Sequence, residues 1–211
     1  WDHAVQSYLA SVTFADHCLG LVLDALESSD YGKNTVIALF SDHGFHLGEK
    51  ERWAKRSLWE DGTRVPIIVS APGYKKDQRS ERTAELLDVF PTLLELAGLP
   101  ADPSQEGQSL VPLMKNPKKE WDHPAITSFG LGNYSIRTTR YRFIQYFDGS
   151  RELYDLSKDP HEWKNLAADP KNKSIIEEHA AHLPRKQHPI LPGSSTGHAA
   201  YGAANANIKK N

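Results

Sequence analysis

The chain has 211 residues, 39% of them hydrophobic, and 25 Lys and Arg against 27 Asp and Glu, a formal charge of −2. That is enough for one sizeable domain, or one with a small appendage. The near-neutral balance excludes the basic stripe of a nucleic-acid or acidic-membrane binder, so neither partner is expected. The single cysteine, Cys18, excludes an internal disulfide framework and is expected as a buried thiol on a helix. No run approaches the roughly 18 apolar residues of a membrane span, and none is expected. Neither a signal peptide nor an initiator Met opens the chain at Trp1, which reads as a piece of a longer protein.

In chain order, Val5, Tyr8, Leu9, Val12, Ala15, Leu19, Val22, Leu23 and Leu26 recur at helical steps and predict one amphipathic helix over residues 4–26. "SSDYGKN" breaks it. "TVIALF" and "RVPIIVSAPG" are short β-branched runs without alternation, the pattern of strands buried on both faces. "YKKDQRSER" predicts a solvated loop. "TAELLDVFPTLLELAG" predicts a second helix, with Asp88 as a cap, Pro91 in its first turn and Gly98 at its end. Helix, strand, loop, strand, helix is the rhythm of an α/β layer with a mostly parallel sheet. Beyond it, "PAITSFG", "YSIRTT", "YRFIQYFD" and "RELYDL" predict short strands, and "NKSIIEEHAAHL" a short helix, together a small antiparallel α+β unit. The predicted organisation is residues 1–118 for the α/β portion, 119–183 for the small unit and 184–211 for an extended or disordered tail rich in Pro, Gly, Ala and Asn.

The segment "FSDHGFHLGEKERWAKRS" follows the first predicted strand, and ligands in open α/β sheets bind at the carboxyl ends of strands. Asp42 offers a hard anionic oxygen and His43 an imidazole nitrogen, and Gly44 lets the backbone turn so that both reach one ion. The same residues equally suit a loop-capping Asp and a hydrogen-bonded core histidine. Lys55 can bind a multiply charged oxyanion near a metal, or be an ordinary surface lysine. His46 can give a proton to a leaving group or contact substrate, or be a plain loop histidine. Glu49, Lys50, Glu51 and Arg52 read as solvated charge. Arg137, Arg140 and Arg142 can meet a sulfated or carboxylated sugar, or simply alternate on an exposed sheet face.

The ordered set "SDHGFHLGEKERWAKRSLWEDGTRVPIIVSAPG", "ELLDVFPTLLELAGL" and "YRFIQYFDGSRELYDLSKDPHEWKNLA" resembles the C-terminal half of type I, formylglycine-dependent sulfatases of the alkaline phosphatase superfamily. Within them it looks most like the iduronate 2-sulfatase-like branch, and the likeness runs from about Tyr8 to Ala167. The resemblance implies the C-terminal part of an alkaline phosphatase-like α/β sandwich with a small antiparallel subdomain. It implies hydrolysis of a sulfate ester, on a sulfated sugar or polysaccharide. Asp42 and His43 then match two metal ligands, with calcium the family's usual ion. A histidine ligand departs from calcium's preference for oxygen and leaves manganese open. Lys55 matches the catalytic, sulfate-binding lysine, and His46 a substrate contact.

The departure is the nucleophile. The motif C/S-x-P/A-x-R, whose first residue becomes formylglycine, occurs nowhere in the 211 residues. The resemblance therefore implies a missing N-terminal half as partner, and inactivity of this chain alone. A phosphodiesterase or phosphonate monoester hydrolase of the same superfamily, or a non-catalytic truncated module, are the alternatives. The family resemblance also implies an exported location, periplasmic, extracellular or lysosomal.

Overall fold

A computed structural model of the chain describes residues 1–187; the predicted tail, apart from its first four residues, lies outside the described residues. Its elements are α1 (Asp2–Glu27), β1 (Ile37–Phe40), β2 (His46–Leu47), β3 (Trp53–Ala54), α2 (Glu60–Thr63), β4 (Ile67–Ser70), α3 (Val89–Leu96), α4 (Val111–Lys115), β5 (Ala125–Ser128), β6 (Tyr134–Arg137), β7 (Tyr141–Gln145), β8 (Arg151–Asp155) and α5 (Lys173–Ala180). They fall into two compact units. The first holds Trp1–Lys55 and Arg64–Trp121; the second holds Arg56–Thr63 and the chain from Asp122. The segment that follows Lys55 thus leaves the first unit and packs with the second.

In the first unit β1 and β4 pair antiparallel, Ile37 opposite Ser70 and Phe40 opposite Ile67. This corrects the expectation of a parallel pair. A parallel return needs a crossover of a dozen or more residues, usually a helix, and the chain between β1 and β4 forms a short hairpin with two-residue strands about a 3-10 turn and then a helix of a single turn. Neither strand is buried on both faces: Phe40 and Ile68 are exposed. The helix α1 forms where its periodicity predicts, but none of its residues is buried. Cys18 is accordingly exposed, against expectation. By length and apolar content α1 reaches what a membrane crossing needs, a test that core helices of water-soluble proteins also pass.

The buried part of this unit surrounds α3 and α4, where Val89, Leu110, Val111 and Leu113 are inside. Asp88 does not cap α3 with its side chain. Its buried carboxylate instead accepts the backbone N–H of Glu85 (2.9 Å) and of Gln108 (2.7 Å). That draws residues 107–108 so close that a Cβ on Gly107 would lie 2.1 Å from the Leu87 carbonyl oxygen. The loop at residues 74–82, expected to be solvated, holds the chain leading out of the unit. Gln78 donates to the Met114 carbonyl, Ser80 to Pro117, and Arg82 to Lys118 and Lys119.

The second unit is an antiparallel meander in the order β5-β6-β7-β8. Alternation along β7 sends Phe143 to one face and Arg142 and Ile144 to the other. Phe143 packs with Ile136, Leu153 and, from α5, Ile176. Ile144 packs with Tyr154 and with Leu58 from the transferred segment. One face of the sheet thus carries α5, and the other carries residues 56–63.

Candidate active site

Ser41, Asp42, His43 and Gly44 follow the carboxyl end of β1, and Ser41 Oγ donates to the His43 carbonyl (2.9 Å), tightening the turn. His43 Nδ1 lies 2.8 Å from the Gly44 carbonyl oxygen. A carbonyl only accepts, so Nδ1 carries the proton and Nε2 presents its lone pair. Lys55 Nζ donates to that lone pair at 2.7 Å. Asp42 Oδ1 stands 3.6 Å from the same Nε2. The fold therefore brings Asp42, His43 and Lys55, 13 positions apart at the extremes, to one place.

What returns the chain to His43 is a hairpin that the sequence reading missed. In it β2 pairs with β3, His46 opposite Ala54 and Leu47 opposite Trp53. The hairpin is cramped. Lys50, Glu51, Ala54 and Arg56 all hold positive φ, at 53°, 57°, 69° and 73°, and Gly48 sits at 113°. Four non-glycine residues in the left-handed region within seven positions is local strain, and such strain persists only where the surroundings over-determine it. Two features do so here. The ring of Trp1 fills the space where a Gly48 Cβ would lie, 1.8 Å from the nearest ring atom, and meets Trp53 edge-on at 5.4 Å. Glu49, expected to be solvated, turns its carboxylate back to accept the Leu47 N–H at 2.7 Å.

His46, the first residue of β2 in this strap, is fully buried. It is therefore closed to solvent, whereas Asp42 and Lys55 are exposed and His43 is half-buried. The donor set suits a divalent cation. A carboxylate oxygen stands beside an imidazole nitrogen whose tautomer is fixed with its lone pair outward, and a positive charge, the Lys55 ammonium, already lies against that lone pair.

The three arginines that could have met a sugar, or merely alternated on an exposed sheet face, are each paired with a carboxylate. Arg142 is buried between two carboxylates: its Nε faces Glu162 Oε1 at 2.7 Å, and its Nη2 donates to Glu60. Arg137 Nε donates to the same Glu60 oxygen at 3.1 Å. Arg140 grips Asp155 with two parallel bonds, at 3.0 and 2.6 Å. Burial pushes the Glu60 carboxyl up, but the charges and hydrogen bonds of Arg142 and Arg137 outweigh it and hold the group below the usual carboxylate range. No composition signal separates such arginines from surface ones; their carboxylate partners lie up to 82 positions away.

The Sulfatase family profile matches residues 1–99. A sulfatase of Formosa agariphila is 46% identical over 185 residues, covering 88% of this chain and 36% of the relative. A Δ4,5-hexuronate-2-O-sulfatase of Bacteroides thetaiotaomicron is 37% identical, covering 87% of this chain and 41% of the relative. Among solved structures, a 2-O GAG sulfatase superposes with a TM-score of 0.64 at 33% identity, covering 76% of this chain and 37% of that one. The chain thus spans about two fifths of the length of the curated relatives it matches.

Proposed function

Since the chain belongs to the sulfatase family, we propose that it supplies the C-terminal part of an alkaline phosphatase-like enzyme that hydrolyses a sulfate ester on a sulfated sugar or polysaccharide. The observation that carries this reading is the meeting of Asp42, His43 and Lys55 at the end of β1. Likeness to a hexuronate-2-O-sulfatase and a 2-O GAG sulfatase supports a sulfated uronate or glycosaminoglycan as the substrate class.

In this reading Asp42 Oδ1 and His43 Nε2 hold a divalent cation, calcium or manganese, once the Lys55 ammonium has moved from Nε2 to the sulfate. That ion, when bound, withdraws charge from a sulfate oxygen. The Gly44 carbonyl fixes the imidazole in the ligating tautomer, and Ser41 tightens the turn that carries it. Lys55 contacts the sulfate and the bridging oxygen, and stabilises that oxygen as the S–O bond breaks and its electron pair passes to the sugar. His46 enters as a second imidazole that reaches a leaving-group oxygen only when the strap shifts. The formylglycine nucleophile comes from a preceding stretch of the same polypeptide, which would also cover the exposed apolar residues of α1, Phe40 and Ile68. The 211 residues alone are inactive and self-associate. The family resemblance supports an exported or lysosomal location, which fractionation of the source cells tests.

The test is to join the chain to a relative's N-terminal part bearing C/S-x-P/A-x-R, with formylglycine installed. Sulfate release is then followed from an aryl sulfate and from a 2-O-sulfated unsaturated uronate disaccharide. We expect turnover with calcium or manganese, abolished by chelation. Lys55→Ala should lower kcat by about 10²- to 10³-fold, the scale of losing one charge-stabilising donor. Turnover by the unjoined chain, or by the joined enzyme at full rate with Asp42→Asn and His43→Ala, would sink the proposal.

A further inference from the structure

Two basic segments of the first unit run side by side. Lys75, Lys76, Arg79 and Arg82 stand in the loop after β4, residues 74–82. Lys115, Lys118 and Lys119 stand at the end of α4 and just beyond it, in residues 114–120. Gln78 Nε2 donates to the Met114 carbonyl at 3.0 Å, and Ser80 Oγ to that of Pro117 at 2.9 Å. Arg82 donates to the Lys119 and Lys118 carbonyls at 2.9 and 3.0 Å. The partners advance together along both segments, so these lie in the same direction, although 36 or 37 positions separate each pair.

Together the two segments hold seven Lys and Arg against three Asp and Glu, in a chain whose formal charge is −2. The whole-chain balance therefore conceals a local positive excess. Lys75, Lys76, Lys115, Lys118 and Lys119 are exposed, and none has an ion pair among the described residues. Arg79, by contrast, meets Glu81 at 3.0 Å. Segments in hydrogen-bonded contact add their potentials, since screening sets in only over about 8 Å at physiological salt. The bonds that fasten them use neutral carbonyls, so nothing in the joint offsets the repulsion between the lysines. Unpaired cations gathered in this way are the electrostatic footprint of a polyanion.

The patch starts away from the Asp42, His43 and Lys55 group. Phe40 lies opposite Ile67, and Ile37 opposite Ser70. Asp42 therefore follows one end of the β1–β4 ribbon and the basic loop leaves the other, with roots about 10 Å apart. Residues 75–82 span at most about 25 Å, which suits a short stretch of an extended polyanion better than a lone ion. Single-stranded nucleic acid stacks its bases on aromatic side chains, and the exposed residues of these two segments include none. Lysine reads charge without the planar pairing of arginine, which suits sulfates placed variably along a sugar chain.

We propose that Lys75, Lys76, Lys115, Lys118 and Lys119 form an exosite that grips a sulfated polysaccharide beyond the sulfate ester being cleaved. The choice of a sulfated polysaccharide rests on the reading of the protein as a sugar sulfatase; the cation cluster stands without it.

The test is calorimetric titration of the 211-residue chain with a heparin hexasaccharide, its desulfated counterpart, a short single-stranded DNA, and vesicles containing phosphatidylserine. Lys75→Gln, Lys76→Gln, Lys118→Gln and Lys119→Gln together should weaken hexasaccharide binding by about tenfold or more, while Arg at the same four positions retains it. About four contacts to a flexible polyanion should make parent binding about 50-fold weaker at 200 than at 50 mM salt. The desulfated sugar should not bind. Equal hexasaccharide affinity for parent and Gln variant overturns the proposal, as does tighter binding of the DNA or the vesicles. If the Gln variant does not fold, lysine acetylation of the parent, read by mass spectrometry, decides. The hexasaccharide should shield Lys75, Lys76, Lys118 and Lys119 but not Lys33, and equal acetylation with and without it overturns the proposal. In the joined enzyme the Gln variant should raise KM for a sulfated polysaccharide about tenfold, with kcat and aryl sulfate turnover unchanged. An active joined enzyme whose polysaccharide KM does not move overturns the exosite and leaves the sulfatase reading. A joined enzyme that releases no sulfate, beside a chain whose hexasaccharide binding still depends on the four lysines, supports the site and removes that reading.

Discussion

Replacing Asp88 tests whether one buried carboxylate organises the α3 region. It is fully buried and accepts two backbone N–H groups, from Glu85 at 2.9 Å and Gln108 at 2.7 Å. A hydrogen bond to a charged group contributes about 1.5–3 kcal/mol net, so Asp88→Ala should cost about 3–6 kcal/mol. That is a large fraction of the ~5–15 kcal/mol that holds a domain together. Asp88→Asn keeps one acceptor and turns an NH₂ on the other donor, which should cost about 2–4 kcal/mol. The neighbouring Thr92 hydroxyl donates to the Asp88 carbonyl at 2.6 Å and accepts the Leu110 N–H at 2.8 Å. Thr92→Val should therefore couple with Asp88→Asn in a double-mutant cycle by about 0.5 kcal/mol or more. The assay is urea unfolding followed by far-UV circular dichroism, reading the midpoint at constant slope. An Asp88→Asn midpoint within error of the parent would refute the reasoning, because the two N–H groups would then be satisfied without the charge.

Three further outcomes are expected. Phe143→Ala removes a fully buried ring from the centre of the second unit and should cost about 3–5 kcal/mol in chemical denaturation, with Phe143→Leu costing less than half of that. Burial lowers the pKa of His179 from 6.5, against the hydrogen bond to the Ile175 carbonyl. The unfolded chain therefore binds the proton more readily, and stability present above pH 6.5 should be lost as the pH falls below it; the dependence should flatten in His179→Gln, measured by midpoints at several pH values. Ala54→Gly should stabilise the hairpin by up to about 1 kcal/mol, since a glycine tolerates φ 69° without strain, whereas Gly48→Ala should loosen it by driving a methyl group into the Trp1 ring; protection of strap amides from exchange reads both.

Much of the architecture was legible locally. The period of α1, the alternation of the four strands of the meander and the Pro91 and Gly98 punctuation of α3 are set by neighbours in sequence, and they appear where expected. The hairpin around Glu49 was not legible. Its strands are two residues each, and its turn depends on left-handed Lys50, Glu51 and Ala54, residues that carry no turn signal of their own. The antiparallel pairing of β1 with β4 was also hidden, because direction depends on how the chain between them returns, and strand composition is silent on that.

The sequence by itself determined the chemistry on offer: Asp42 and His43 side by side at a strand end, with a lysine 12 residues beyond His43. It also determined that no C/S-x-P/A-x-R nucleophile motif stands among the 211 residues. Only the tertiary structure decided which charges are available to a ligand. Lys55 reaches His43 because a strained strap folds back on itself, while His46, equally polar in sequence, is buried within that strap. Arg137, Arg140 and Arg142, three cations that look alike along the chain, are each claimed by a carboxylate of their own unit. The reason is physical: a cation's freedom depends on how far it is from its counter-charge in space, and that distance is set by the register of strands and turns many residues apart.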